Sequence, residues 1–166
     1  MKQTCFILLL ILLNSRCTSK FEVKEDEVAV TFNNTTGEVS QDVLRKGDYE
    51  IGSSEKVVIF QTDPQHKDFS FDFLFKDASE GLIEFSIDYT PKVDSLASFY
   101  RKYKTTNLPV TVEIEIKSTV RDIALNLTKE NIDSKIFFMT IERALDSELR
   151  YFIDIDHFSP KRVKYQ

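Results

Sequence analysis

Gly81-Leu-Ile-Glu-Phe-Ser-Ile-Asp-Tyr-Thr-Pro91 alternates apolar and polar residues, and the periodicity changes immediately afterwards. Val93, Leu96, Ala97 and Tyr100 follow i, i+3, i+4, i+7 spacing, and Tyr103 extends the stripe. Pro109 breaks the pattern. A β-branched run then leads through Ser118-Thr-Val-Arg-Asp-Ile123 to Asn126-Leu-Thr128. Strands first and helices afterwards imply an α+β architecture, with the helices laid on an antiparallel sheet.

Upstream, Phe69, Phe71, Phe73 and Phe75 share one face of a strand, while Ser70, Asp72 and Leu74 share the other. Ile83, Phe85, Ile87 and Tyr89 repeat that geometry opposite Glu84, Ser86 and Asp88, so the two runs are expected to form a long antiparallel hairpin. An aromatic face of this kind can line a ligand pocket or a partner surface. Burying aromatic rings contributes so much to a core that core is the assignment made here. Before it, Glu27–Phe32, Glu38–Leu44, Tyr49–Ile51 and Val57–Gln61 read as short strands, separated by turns at Asn33–Gly37 and Arg45–Asp48.

The run after Pro109 carries two patterns at once. Val110, Val112, Ile114 and Ile116 alternate as in a strand, whereas Val112, Ile116, Val120, Ile123 and Leu127 make a helical stripe. The helical pattern beyond Ser118 favours helix. A further helix is expected from Thr128 as N-cap, with Phe137, Ile141, Ala144, Leu145 and Leu149 buried, before a strand at Tyr151–Asp156.

The order of these segments resembles the SPFH domain, the Band 7 family of stomatin, prohibitin and flotillin. In that family a strand with a tyrosine near its end precedes a helix, and the next helix carries S-x-V-R-[DE], matched by Ser118 to Asp122. Gly37 and Val43 to Tyr49 resemble the family's G-x-x-x-x-x-L-x-P-G-x-H/Y phrase, with Lys46 in place of proline. Tyr151 to Asp156 stands where the family has Y/L-G-I, without the glycine. The resemblance covers about residues 25–160. It implies a curved antiparallel β-sheet from the N-terminal half with C-terminal helices packed on it. It also implies a membrane-bound assembly module without catalysis, whose members recruit or restrain membrane proteases and partition membrane domains. Arg121 and Asp122 would then be structural or interface residues, tying the helix to the sheet or to a neighbouring subunit. Their other reading is an exposed charge pair of negligible worth. SPFH proteins usually continue into a long coiled coil, and this sequence ends at Gln166. A truncated product, a subunit that joins a longer paralogue and a domain that no longer assembles all fit that departure.

At the head, Met1 and Lys2 precede nine apolar residues, Cys5 to Leu13, then Asn14-Ser-Arg-Cys17. A bilayer span needs about 20 apolar residues, so this run fits the core of an export signal instead. Cys17 lies where a bacterial lipoprotein signal places the cysteine that receives diacylglycerol. Ser15 suits such a site, whereas Arg16 departs from the usual small residue. Ordinary secretion or a short signal anchor is the other reading. Cys5 would leave with the signal, so the mature chain has no internal disulfide, and a thioether-linked lipid accounts for the unpaired Cys17. The expected layout is signal peptide 1–16, anchor and tether 17–24, domain 25–160 and a solvated tail 161–166.

Beyond the head the chain holds 20 basic and 27 acidic groups, a net charge of −7, and no basic patch interleaved with aromatics. That composition points away from nucleic acid. No Gly-rich phosphate loop, Gly-x-Ser-x-Gly elbow, Cys-x-x-Cys pair or His-Glu-x-x-His is present. Asp154, Asp156 and His157 combine ligating side chains, but on one strand His157 points away from the two carboxylates, so they read as a solvated strand. No catalytic residue, cofactor or metal is therefore assigned. The sequence reads as an exported, lipid-anchored scaffold, on the periplasmic or outer face of a bacterial membrane. Its partners would be the bilayer, itself or SPFH paralogues, and membrane proteases. The alternative is a monomeric periplasmic lipoprotein that binds a small ligand or a single protein partner.

Overall fold

The computed structural model describes residues 18–165. Five short strands come first among the described residues: β1 (Thr18–Val23), β2 (Glu27–Asn33), β3 (Val39–Leu44), β4 (Gly47–Gly52) and β5 (Glu55–Gln61). They form two antiparallel sheets, β1-β4 and β3-β2-β5. Strand β2 is central in its sheet and buries Val28, Ala29 and Val30. The turn to β3 is built locally. The Asn33 side chain accepts the backbone N–H groups of Thr35 (2.8 Å) and Thr36 (3.0 Å). Gly37 follows at φ +72°, a conformation that glycine adopts without steric cost.

The stretch assigned to a tether takes a different form. Thr18–Val23 pairs along its length with β4, and Phe21 stacks on Tyr49 at 5.6 Å between ring centroids. A two-stranded ribbon leaves much of both faces wet, which is why its sequence lacks an apolar alternation.

Strands β6 (Gln65–Leu74) and β7 (Glu80–Pro91) form the expected hairpin, in the register Phe69↔Phe85, Phe71↔Ile83 and Phe73↔Gly81. Phe69, Phe73, Phe75, Ile83, Phe85, Ile87 and Tyr89 are buried, so the aromatic face is core. A third strand, β8 (Ile153–Tyr165), runs on the far side of β7. It takes in the basic cluster assigned to a tail. Arg162 donates to both Glu84 carboxylate oxygens at 2.6 Å, and Lys161 reaches across β7 to Asp68 on β6 at 2.5 Å. Ser86, between Asp68 and Ser159 in the register, is buried beneath that crossing. Pro160 is tolerated because β8 is an edge strand, with bulges on either side of it.

The helices cover these sheets. Helix α1 (Leu96–Tyr103) follows a 3-10 turn at Val93–Ser95 and buries Leu96, Ala97 and Phe99. Tighter winding in that turn rotates the face, so Phe99 enters the core and meets Phe60 edge-on at 6.0 Å, while Tyr100 and Tyr103 remain half-buried. Helix α2 (Leu108–Ala124) settles the ambiguous run as helix, burying Val112, Ile116, Val120 and Ala124. Helix α3 (Ser134–Leu149) starts later than expected. Its cap is Asp133, which accepts the N–H groups of Lys135 (2.8 Å) and Ile136 (3.0 Å); Thr128 instead precedes a 3-10 turn at Lys129–Asn131. Phe137, Ile141, Leu145 and Leu149 bury as the spacing implies, together with Phe138. The turn into β8 needs no glycine. Lys92 donates from its backbone to the Phe152 carbonyl (2.9 Å) and from its side chain to that of Arg150 (2.6 Å). The architecture is α+β, with open antiparallel sheets and three helices.

Candidate assembly face

Helix α2 positions the residues that the sequence singled out. Asn107 caps it, its side chain accepting the Val110 N–H at 3.3 Å. Pro109 occupies the first turn, where no N–H donor is needed. Two ties orient the helix along β6. Glu113 binds Lys67 of β6 at 3.0 Å and Lys117 of its own helix at 2.7 Å. Those hydrogen bonds, from Lys117 first and then Lys67, hold the Glu113 carboxyl below its ordinary range. At the other end Lys76, just past β6, donates its N–H to the Leu127 carbonyl at 2.8 Å. The helix and the strand therefore run in the same direction.

Successive helical residues turn by about 100°, which places Val110, Ile114, Ser118, Arg121 and Leu125 within an arc of roughly 80° opposite Ile116. That stripe faces solvent: Ile114 is 62% exposed, Leu125 52% and Val110 48%. Leu74, 50% exposed on the outward face of β6, lies across a groove from Leu125. The groove encloses about 510 Å³, with Phe73 beneath it and Asp72, Glu80 and Arg121 along its margins.

Arg121 and Asp122 are both exposed. Among the described residues no acidic group comes within 4 Å of the Arg121 guanidinium, and Asp72, Glu80 and Asp122 have no basic partner at that distance. Arg121 therefore does not tie its helix to the sheet by a direct ion pair. It stands in the middle of an apolar stripe, on a groove whose other wall carries two carboxylates. Sequence reasoning missed Leu74, Val110, Ile114 and Leu125. For Val110 and Ile114 the signal was the half of the β-branched alternation that the helical stripe left over; Leu74 and Leu125 carried none.

Cys17 and the signal segment lie outside the described residues. Asp154 pairs with Lys92 at 2.7 Å, and Asp156, the extra residue of a β-bulge, accepts the Thr90 hydroxyl at 2.7 Å. His157 sits opposite Asp88 in the register. Among the described residues, no group of three ligating side chains is placed to hold a metal ion. No helix among them is long and apolar enough to cross a membrane.

Comparison with known proteins supplies the family. The model of the SPFH domain / Band 7 family matches residues 21–166. The chain belongs to this family. SPFH proteins are generally membrane-associated scaffolds without catalytic activity, and their domains commonly self-associate. No curated protein matches the chain closely enough to name a relative. The SPFH match takes in the second half of β1, within the stretch expected to be a tether, and all of β8, whose last residues, 161–165, were expected to be a tail.

Proposed function

We propose that this SPFH protein is a non-catalytic scaffold of a bacterial envelope membrane, exported and anchored by lipid on Cys17, that self-associates and organises membrane proteins, membrane proteases among them. The observation that carries the reading is the SPFH match across residues 21–166. The apolar stripe of α2, exposed with Arg121 at its centre, gives such a domain a face for contact. An anchor confines the domain to two dimensions and raises its effective concentration, so weak lateral contacts suffice for assembly. The two or three acyl chains of a bacterial lipoprotein hold a bilayer firmly where one chain would not.

The rival reading, a monomeric lipoprotein with a ligand chamber behind the phenylalanine face, is disfavoured by packing. Phe69 stacks on Phe85 at 5.0 Å and Phe73 meets Phe75 at 4.8 Å, both inside the core. Mass spectrometry of the protein extracted from membranes, beside Cys17→Ala, tests the anchor. A diacylglycerol-sized gain that the variant loses supports it, and an unmodified protein in the soluble fraction refutes it.

A further inference from the structure

We infer that the groove between α2 and the β6–β7 hairpin is the contact between two copies of this chain. In that contact Arg121 of each copy meets Asp72 and Glu80 of its partner, and Leu125 meets Leu74. The inference rests on the scaffold reading and names the surface through which the chain would self-associate.

The two walls of the groove run in one direction. Lys67 meets Glu113 near one end, and the Lys76 N–H meets the Leu127 carbonyl at the other, so β6 and the C-terminal half of α2 run side by side. Lys117 lies over the Phe71 ring at 5.9 Å between these ties. Asp72 is thus near the level of Arg121, and Leu74 near that of Leu125. Each wall carries a charged position followed, in the same direction, by an apolar one. The helix wall reads cation then leucine. The hairpin wall reads carboxylate then leucine, and Glu80 is paired with Leu74 in the β-register.

An isologous interface requires a surface that is its own complement. A two-fold axis along the groove exchanges its walls, laying the helix wall of one copy on the hairpin wall of the next without changing the level along the groove. Arg121 then faces Asp72 of the partner subunit and reaches diagonally to the partner's Glu80, which lies beside Leu74 one step further along, while Leu125 faces the partner's Leu74. Both ionic contacts occur twice, and the exposed leucines are removed from water together. The same arrangement supplies ion-pair partners to charges that have none among the described residues.

A bilayer is the other class of occupant for an exposed apolar stripe, but two carboxylates on the groove margin disfavour a surface of anionic headgroups. A second copy satisfies both signs.

Charge reversal in trans provides the test. Full-length wild-type protein, Arg121→Glu and the double variant Asp72→Arg Glu80→Arg are compared in detergent by sedimentation equilibrium, with circular dichroism confirming that each folds. Each variant alone is expected to weaken dimerisation by tenfold or more, because like charges then face each other twice. The two variants mixed in equal amounts are expected to associate with near wild-type affinity, since both ionic contacts are restored in the mixed pair. Unchanged assembly in the single variants, or no recovery on mixing, overturns this surface and leaves the scaffold reading standing. A monomeric wild-type protein overturns both. Binding to phosphatidylglycerol vesicles that Arg121→Glu abolishes, without dimerisation, assigns the groove to lipid and overturns the dimer.

Discussion

Gly81 stands opposite Phe73 in the β6–β7 register, and a β-carbon at Gly81 would lie 2.6 Å from Cζ of that ring. The ring cannot easily withdraw, because it already meets Phe75 at 4.8 Å and Phe137 at 5.6 Å. Gly81→Ala is therefore expected to destabilise the domain by about 1–3 kcal/mol through overpacking, read as a lower urea midpoint. Combining it with Phe73→Leu should cost less than the two single changes summed. An unchanged midpoint for Gly81→Ala would show that the hairpin yields.

Ile114 and Ile116 test the helix against the strand. On a strand they would share a face, whereas in α2 Ile116 is fully buried and Ile114 is 62% exposed. Ile116→Ala should cost about 2–5 kcal/mol, and Ile114→Ala should stay within about 0.5 kcal/mol in the unassembled protein. Equal costs measured by denaturant unfolding would contradict the helix.

Helix α3 depends on Asp133. Replacing it with alanine leaves the N–H groups of Lys135 and Ile136 uncapped, for an expected loss of about 1 kcal/mol, while Asp133→Asn should retain most of the stability. Thermal unfolding of the two variants distinguishes a cap from a merely local charge effect.

His66 introduces a pH dependence. Its Nδ1 lies 2.5 Å from Asp88 on β7, and its Nε2 is 3.8 Å from Asp68, which also binds Lys161 of β8. The hydrogen bond to Asp88 raises the His66 pKa above its ordinary value, Asp68 adds to the rise, and Lys161 opposes it. A raised folded-state pKa adds stability below the unfolded value near 6.5 that is lost as pH climbs through the folded value. The wild-type unfolding midpoint should thus fall across this window relative to His66→Gln. In an NMR titration, Asp88→Asn should lower the His66 pKa. An unshifted imidazole titration would remove the effect.

The fold was legible wherever the apolar period changed. The switch from alternation in Gly81–Pro91 to helical spacing after Val93 placed the hairpin, and Ser118–Ile123 carried the helix through an ambiguous run. Segments whose structure depends on distant partners were not legible. Strand β1 has little apolar patterning because its two-stranded ribbon is wet on both faces. The end of β8 looked like a charged tail because the acids that pair with Lys161 and Arg162 lie 93 and 78 residues away. At the candidate face, Arg121 could be read from a motif. The groove around it could not, since it requires Leu74 and Asp72 to come alongside α2.

Self-association is the claim on which the functional account depends, and light scattering of the full-length protein extracted from its membrane tests it most directly. A particle at least twice the mass of one chain, after correction for lipid and detergent, is the expected result. A lipidated particle with the mass of a single chain at all concentrations would contradict it.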